Sequence, residues 1–354
     1  MDGRKSLLNY SQSNHNRIKI LFIFLLLLLF LFFVLDLFLG SVIISPGEVF
    51  RALFRDAGDV TETILMKFRI PKAITALLAG IALSVSGLQM QTLFRNPMAG
   101  PYVLGLSSGA SLGVAVVILG FSSFISPESS GGLGNWAIAA ASWLGAGAVM
   151  LVIMIISARV KNIMTVLILG IMLSSAISAV VSIMQYFSSD TMLKSYVIWT
   201  MGSLGNLTSG QLKVMTASVA AGAILSLMSV KMLNALLLGE DYALSIGLEV
   251  KTSRNLIIAG TSILAGTVTA FCGPIGFIGI AVPHLARLIF RTADHRVLIP
   301  ASILTGSIIM LGSDIVSQLP GSEKVLPVNA VTALIGIPVV IWVILQNQRS
   351  GEIF

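Results

Sequence analysis

The few polar groups inside this very apolar chain have to carry whatever chemistry it performs. No GxxxxGKS or GxxxxGKT phosphate loop occurs, and neither HExxH nor GxSxG is present, so ATP binding through that loop and the matching hydrolase signatures have no support. His15, His284 and His295 are scattered without metal-ligand spacing. Cys272 is the single cysteine, so no intrachain disulfide is possible. Asp36 and Asp314 fall near the ends of apolar segments. Ionisable groups in such segments often mark ion or proton pathways; at segment ends the expected role is structural, with the carboxylates reaching the interface by snorkelling. Hydroxyl chemistry remains. Gly170, Ser174, Ser178 and Ser182 recur every four residues and therefore share a helix face. Such a stripe suits the wall of a translocation path, with Ala176 and Val180 rotated away, or a packing seam whose hydroxyls bond back to helix carbonyls. Gly105, Gly109 and Gly113 form a second four-residue series on one expected helix face, where small residues let backbones approach.

The elements that position these residues follow from hydropathy. Hydrophobic residues make up 56% of 354 positions, charged residues 10%, and the mean hydropathy is +0.95; a soluble core of that composition would expose large apolar patches. A helix crossing the hydrocarbon core needs roughly 20 mostly apolar residues. Ten segments fit, at 18–40, 71–93, 102–121, 135–158, 163–187, 211–233, 255–272, 275–291, 297–318 and 327–346; the seventh and eighth are short and share the turn Cys272-Gly273-Pro274. The expected fold is all-α and polytopic: a tail over residues 1–17, a ten-helix membrane domain over 18–346, and a tail over 347–354. The apolar run after Arg17 and Lys19 continues to Leu39 without a small-residue cleavage site, which makes it a span rather than a signal peptide.

The net charge of +7 reads as membrane topology, since no basic run is interleaved with aromatics, and nucleic acid is not an expected partner. With the N-terminus inside, 14 of the 22 Lys and Arg residues fall on the inner side, which places both termini in the cytoplasm. Segment 41–70 is the largest polar interruption and holds Glu48, Arg51, Arg55, Asp56, Asp59, Glu62, Lys67 and Arg69. On the inner side, segment 231–254 contains Leu236, Leu237, Leu238, Leu244, Ile246 and Leu248, punctuated by Gly239 and Gly247. That is too apolar for a solvated loop, so it lies in the membrane interface or inserts into a partner protein. A membrane-embedded enzyme and an ion-coupled secondary carrier stand as rivals to a partner-driven transporter, but both call for more buried carboxylate or histidine than the sequence offers.

The order of several motifs resembles the permease subunits of ABC importers for ferric siderophores, haem and cobalamin. These are FRIPK at 68–72, QTLFRNPMAGPYVLGLSSGASLG at 91–113, WTMGSL at 199–204, LGEDYALSIGL at 238–248, GPIGFIGIAVPHLARLIF at 273–290, DHRVLIP at 294–300 and LPVNAVTALIGIPVVIWVIL at 326–345. The resemblance covers roughly residues 64–346. It implies ten spans per subunit, a second permease subunit (a homodimer or close heterodimer) around a central pathway, two cytoplasmic ATPase subunits and one extracytoplasmic binding protein, in the inner membrane of a bacterium. It also implies that the chain is no enzyme and needs neither cofactor nor metal. By the same resemblance, Leu238, Gly239, Glu240, Ala243 and Gly247 belong to a coupling segment that docks on the ATPase. Arg69 and Lys72 receive glutamates of the binding protein. Asn96, Pro97 and Met98, with Asn162, Ile163 and Met164, form the cytoplasmic gate; the second turn is more apolar than in the cobalamin members and suits closure by dewetting. One departure stands out: a third basic docking residue of the cobalamin importers is replaced here by Gln318.

Overall fold

The computed structural model describes residues 2–40, 44–45, 47–49, 51, 60–120, 133–160, 162–319 and 324–350. Within them every regular element is helical: α1 (Asp2–Phe38), α2 (Val60–Leu93), α3 (Leu106–Gly120), α4 (Leu133–Arg159), α5 (Ile163–Tyr186), α6 (Asp190–Thr200), α7 (Ser209–Met228), α8 (Val230–Leu237), α9 (Glu240–Ser245), α10 (Val250–Cys272), α11 (Ile278–Phe290), α12 (His295–Ser317) and α13 (Val328–Ser350). Seven helices are long and apolar enough to cross a membrane, and three shorter apolar ones, in α3, α11 and α13, take the remaining expected spans. In the polar interruption and the tails, residues 1, 41–43, 46, 50, 52–59 and 351–354 lie outside the described residues.

Helix α2 is the axis. It is buried along most of its length and packs against α7, α10, α11 and α12. Glycine makes those approaches possible: a Cβ at Gly87 would sit 1.8 Å from the Gly279 carbonyl oxygen, and one at Gly80 2.4 Å from that of Gly306. In lipid, where apolar surface gains little by leaving the solvent, such close backbone packing is what holds helices together. By contrast, α1 and α5 expose most of their apolar side chains.

Three expectations change. The second span opens at Val60, not at the FRIPK motif, and π-helical hydrogen bonding runs through Leu65–Arg69. At 1.5 Å per residue its 34 residues extend about 51 Å, well beyond a hydrocarbon core of roughly 30 Å. The sixth expected span divides into α7 and α8, and α6 is an additional helix of 11 residues, too short to cross. Gly105 does not share a helix face with Gly109 and Gly113. It caps the N-terminus of α3 in the left-handed region at φ +85°, while the other two pack on Gly145 and Ala141 of α4.

Candidate functional site

On the side of the chain assigned to the exterior, the extended end of α2 meets the ends of α1 and α12. Their ionisable residues form one network. Lys72 Nζ lies 3.0 Å from Asp314 Oδ1. Gln318 Nε2 donates to Asp314 Oδ2 at 2.9 Å and to Asp36 Oδ1 at 3.1 Å. Arg69 Nη1 donates to the Leu37 carbonyl at 2.6 Å, fixing α2 to the last turn of α1. Gly40 allows the approach: a Cβ there would be 2.8 Å from Gln318 Oε1 and 3.0 Å from Arg69 Nη2. Two carboxyl groups and two basic side chains thus share one cluster held away from water, where each requires a partner.

Snorkelling therefore does not describe the two aspartates. Asp314 is 1% exposed and Asp36 3%, and both are satisfied inside the protein. Arg69 and Lys72 also differ from surface charges, since Arg69 is only 8% exposed. The two line a cavity of about 460 Å³, walled by Gly202, Ser203, Leu204, Gly205 and Asn206, by Ser317 and Gln318, and by Val325 and Leu326. The WTMGSL motif supplies one wall, where Gly202 turns at φ +74° and Ser203 N–H donates to the Cys272 carbonyl at 2.8 Å. Gln318, where the resemblance leads one to look for a third cation, instead bridges the carboxylates.

On the opposite side, the glycines of segment 238–248 adopt conformations that other residues rarely reach. Gly239 has φ +110° and Gly247 φ +83°, and they bracket α9. Glu240 pairs with Arg254 of α10. Ala243 is fully buried on the inner face of α9, while Leu238, Tyr242, Leu244 and Ile246 are exposed. The surface that α9 offers a partner is thus the aliphatic and aromatic one, with Ala243 as its inner support. Gly247 has no atom near its missing Cβ.

The turn at 95–98, where the resemblance places one gate, follows α2. Arg95 takes φ +46°, a strained value for a residue with a Cβ. Asn96 N–H donates to the Gln91 carbonyl, and Asn96 Oδ1 accepts from Met98 N–H at 2.9 Å. The Pro97 carbonyl lies 2.8 Å from His284 Nε2. Beside it, Arg287 Nη1 donates to Gln91 Oε1 at 2.6 Å, and Gln91 Nε2 donates to the Ile280 carbonyl. In the second turn, Asn162 caps α5 by accepting from Met164 N–H, with Ile163 buried and Met164 exposed.

The serine stripe divides. Ser174 Oγ donates to the Gly170 carbonyl at 2.8 Å, and a Cβ at Gly105 would lie 2.8 Å from Ser174 Oγ. Gly170 and Ser174 therefore form a seam against the turn before α3. Ser182 donates to the Ser178 carbonyl, and both residues face outward. Ala176 and Val180 are exposed as well, so α5 does not separate a wet face from a dry one at those positions.

Sequence reasoning missed the polar cluster of Asn234, Asp294, His295 and Thr92, the first joined to Asp294 at 2.6 Å and to His295 at 2.7 Å. The DHRVLIP motif was its only signal. Burial opposes the charge on Asp294, but the Arg296 N–H, the Asn234 amide and the Arg296 cation outweigh it and hold this carboxyl below its usual range. Among the described residues no cluster of His, Cys, Asp or Glu could hold a metal ion.

Residues 26–346 match the FecCD transport family. The vitamin B12 import system permease protein BtuC of Citrobacter koseri is 35% identical over 317 residues, covering 89% of this chain and 91% of that protein. The protein of the same name from Klebsiella pneumoniae is 34% identical over 90% of this chain and 91% of its own. A solved structure described as an inward-facing conformation of a metal-chelate type ABC transporter superposes with a TM-score of 0.81 at 28% identity, over 92% of this chain and 99% of that one. PsaBC from Streptococcus pneumoniae, 16% identical with a TM-score of 0.52 over 80% of this chain and 93% of its own, shares the fold.

Proposed function

The chain belongs to the FecCD transport family, and on that premise we propose that it is the permease of a binding-protein-dependent ABC importer for a metal chelate. Cobalamin is the first candidate because the relatives named above are vitamin B12 permeases; ferric siderophores and haem are the other members of the class. Two copies enclose the pathway in a bacterial inner membrane, with both termini in the cytoplasm. Two ATPase subunits dock on the surface of Leu238, Tyr242, Leu244 and Ile246, and move segment 236–249 against the gate turns at 96–98 and 162–164. An acidic side chain of the loaded binding protein enters the external cavity and competes with Asp314 for Lys72.

The observation that carries this reading is a family match spanning nearly the whole chain together with a glycine-bracketed helix whose apolar side chains face away from the protein. That many exposed aliphatic groups on a short helix require a partner or a lipid interface. Proteoliposomes holding the chain and the ATPase that copurifies with it provide the test. They should accumulate cobalamin only with ATP on the ATPase side and loaded binding protein on the other. Uptake of a ferric siderophore or haem instead would move the substrate within the class. Uptake by the chain alone, driven by a proton gradient, would replace the importer with a secondary carrier.

A further inference from the structure

His295, the first residue of α12, is completely buried and bonded on both sides of its ring. On one side stands Asn234 of α8. The Asp294 carboxylate accepts from Asn234 Nδ2 at 2.6 Å and from the Arg296 N–H at 2.9 Å. A carboxylate that only accepts fixes the amide nitrogen toward itself and turns Asn234 Oδ1 toward His295. That oxygen accepts from the His295 backbone N–H at 2.8 Å and faces ring Nδ1 at 2.7 Å, so Nδ1 carries the proton. On the other side, Nε2 accepts from Thr92 Oγ1 of α2 at 2.8 Å. The Thr92 hydroxyl has a competing acceptor in the Leu88 carbonyl at 3.0 Å, and its one hydrogen serves the ring in this tautomer.

This cluster joins α8 to α2 and α12 at one end of the bundle; α2 and α12 are also joined farther along by Lys72 and Asp314. Leu233 and Leu236 bury the inner face of α8. Apolar contacts are non-directional and let packed helices slide, whereas buried hydrogen bonds fix register. Asn234 stands five residues before Gly239, and Thr92 four before Asn96. The two ends are also neighbours in space, because a Cβ at Gly239 would lie 3.7 Å from Arg95 Nη1. At the tip of the gate turn, His284 holds the Pro97 carbonyl.

We infer that His295 is a positioning residue that ties the coupling segment to the cytoplasmic end of α2, so that displacement of residues 238–247 reaches the turn at 95–98 through Asn234, His295 and Thr92. The inference rests on reading that segment as the site of ATPase docking. Thr92→Val preserves shape and removes the hydroxyl; Asn234→Ala breaks the joint from its partly exposed side; Thr92→Ser keeps the hydroxyl. Each is placed in a Cys272→Ala, Met98→Cys permease purified with its ATPase. Labelling of Met98→Cys by a water-soluble maleimide is then compared with and without ATP plus vanadate. The parent and Thr92→Ser should change labelling rate roughly fivefold or more on trapping. Thr92→Val and Asn234→Ala should change less than twofold while hydrolysing ATP within about twofold of the parent. A parent-like response in both broken variants would overturn the joint and leave the importer reading standing. Loss of the response in Thr92→Ser would assign the effect to side-chain shape and also overturn it. A parent that does not respond to nucleotide would remove the importer reading, and this inference with it.

Discussion

On the proposed reading Lys72 has two roles, one structural and one in recognition. Its ammonium faces Asp314 at 3.0 Å and also lines the external cavity. Removing one partner of a buried ion pair strands the other, at a cost of about 3–5 kcal/mol, whereas replacing both by apolar groups is often neutral. Lys72→Met should therefore lower stability by several kcal/mol in detergent unfolding, and Lys72→Met with Asp314→Leu should recover most of the loss. Equal stability of the single variant and the parent would show that the pair carries no structural weight. Charge reversal at Arg69 and Lys72 is a poor test of docking, because it would place two further carboxylates beside Asp36 and Asp314. The stable double variant separates the roles. If Lys72 receives an acidic group of the binding protein, the double variant should bind that protein more weakly at low salt. The difference should narrow above about 0.1 M, where the screening length falls to about 10 Å. Identical affinities at low salt would leave Lys72 a purely structural residue.

At the scale of the element, the segment proposed to couple to the ATPase is governed by backbone conformation. Gly247 sits at φ +83° with open space where its Cβ would be, so substitution costs the left-handed conformation, about 1–2 kcal/mol, and creates no clash within the chain. Gly247→Ala should support near-normal ATP-driven transport with slightly lower stability. Gly247→Trp should insert and fold, but project an indole into the docking surface and cut permease-stimulated ATP hydrolysis at least tenfold. Normal stimulation by the tryptophan variant would remove Gly247 from the interface. The two glycines were legible in the sequence because few other residues adopt such φ values. Ala243 was not, since an alanine amid leucines gives no sign of which way it points; packing turned it inward and left Leu238, Tyr242, Leu244 and Ile246 outside. Helix α6 and the Val60–Arg69 extension of α2 escaped for a different reason. A 20-residue hydropathy criterion registers neither an 11-residue helix nor a ten-residue extension of mixed polarity added to a span.

Across the whole molecule, the apolar segments were legible because lipid demands long, continuous runs whose backbone is satisfied internally. The external site was not, because Asp36 and Gln318 meet across 282 positions of sequence and a four-residue periodicity carries no information over that distance. The same limit applies to α5, where spacing defined a stripe but only tertiary packing could divide it. Ser174 lies in the seam with Gly105, whereas Ser178 and Ser182 face outward. If two copies enclose the pathway, Ser178→Cys and Ser182→Cys in a Cys272→Ala background should react with a water-soluble thiol reagent, since thiolates form readily only where water reaches. Ser174→Cys should react slowly. Ala176 and Val180 are unsuitable controls because they too are exposed; Ile177 and Val181, buried on the same helix, should stay inert. Reactivity at 178 and 182 should also change when nucleotide binds the partner, because one side of the cavity closes as the other opens. Equal inertness at 178, 182, 177 and 181 in every nucleotide state would place the outward face of α5 against lipid and assign the pathway to other helices.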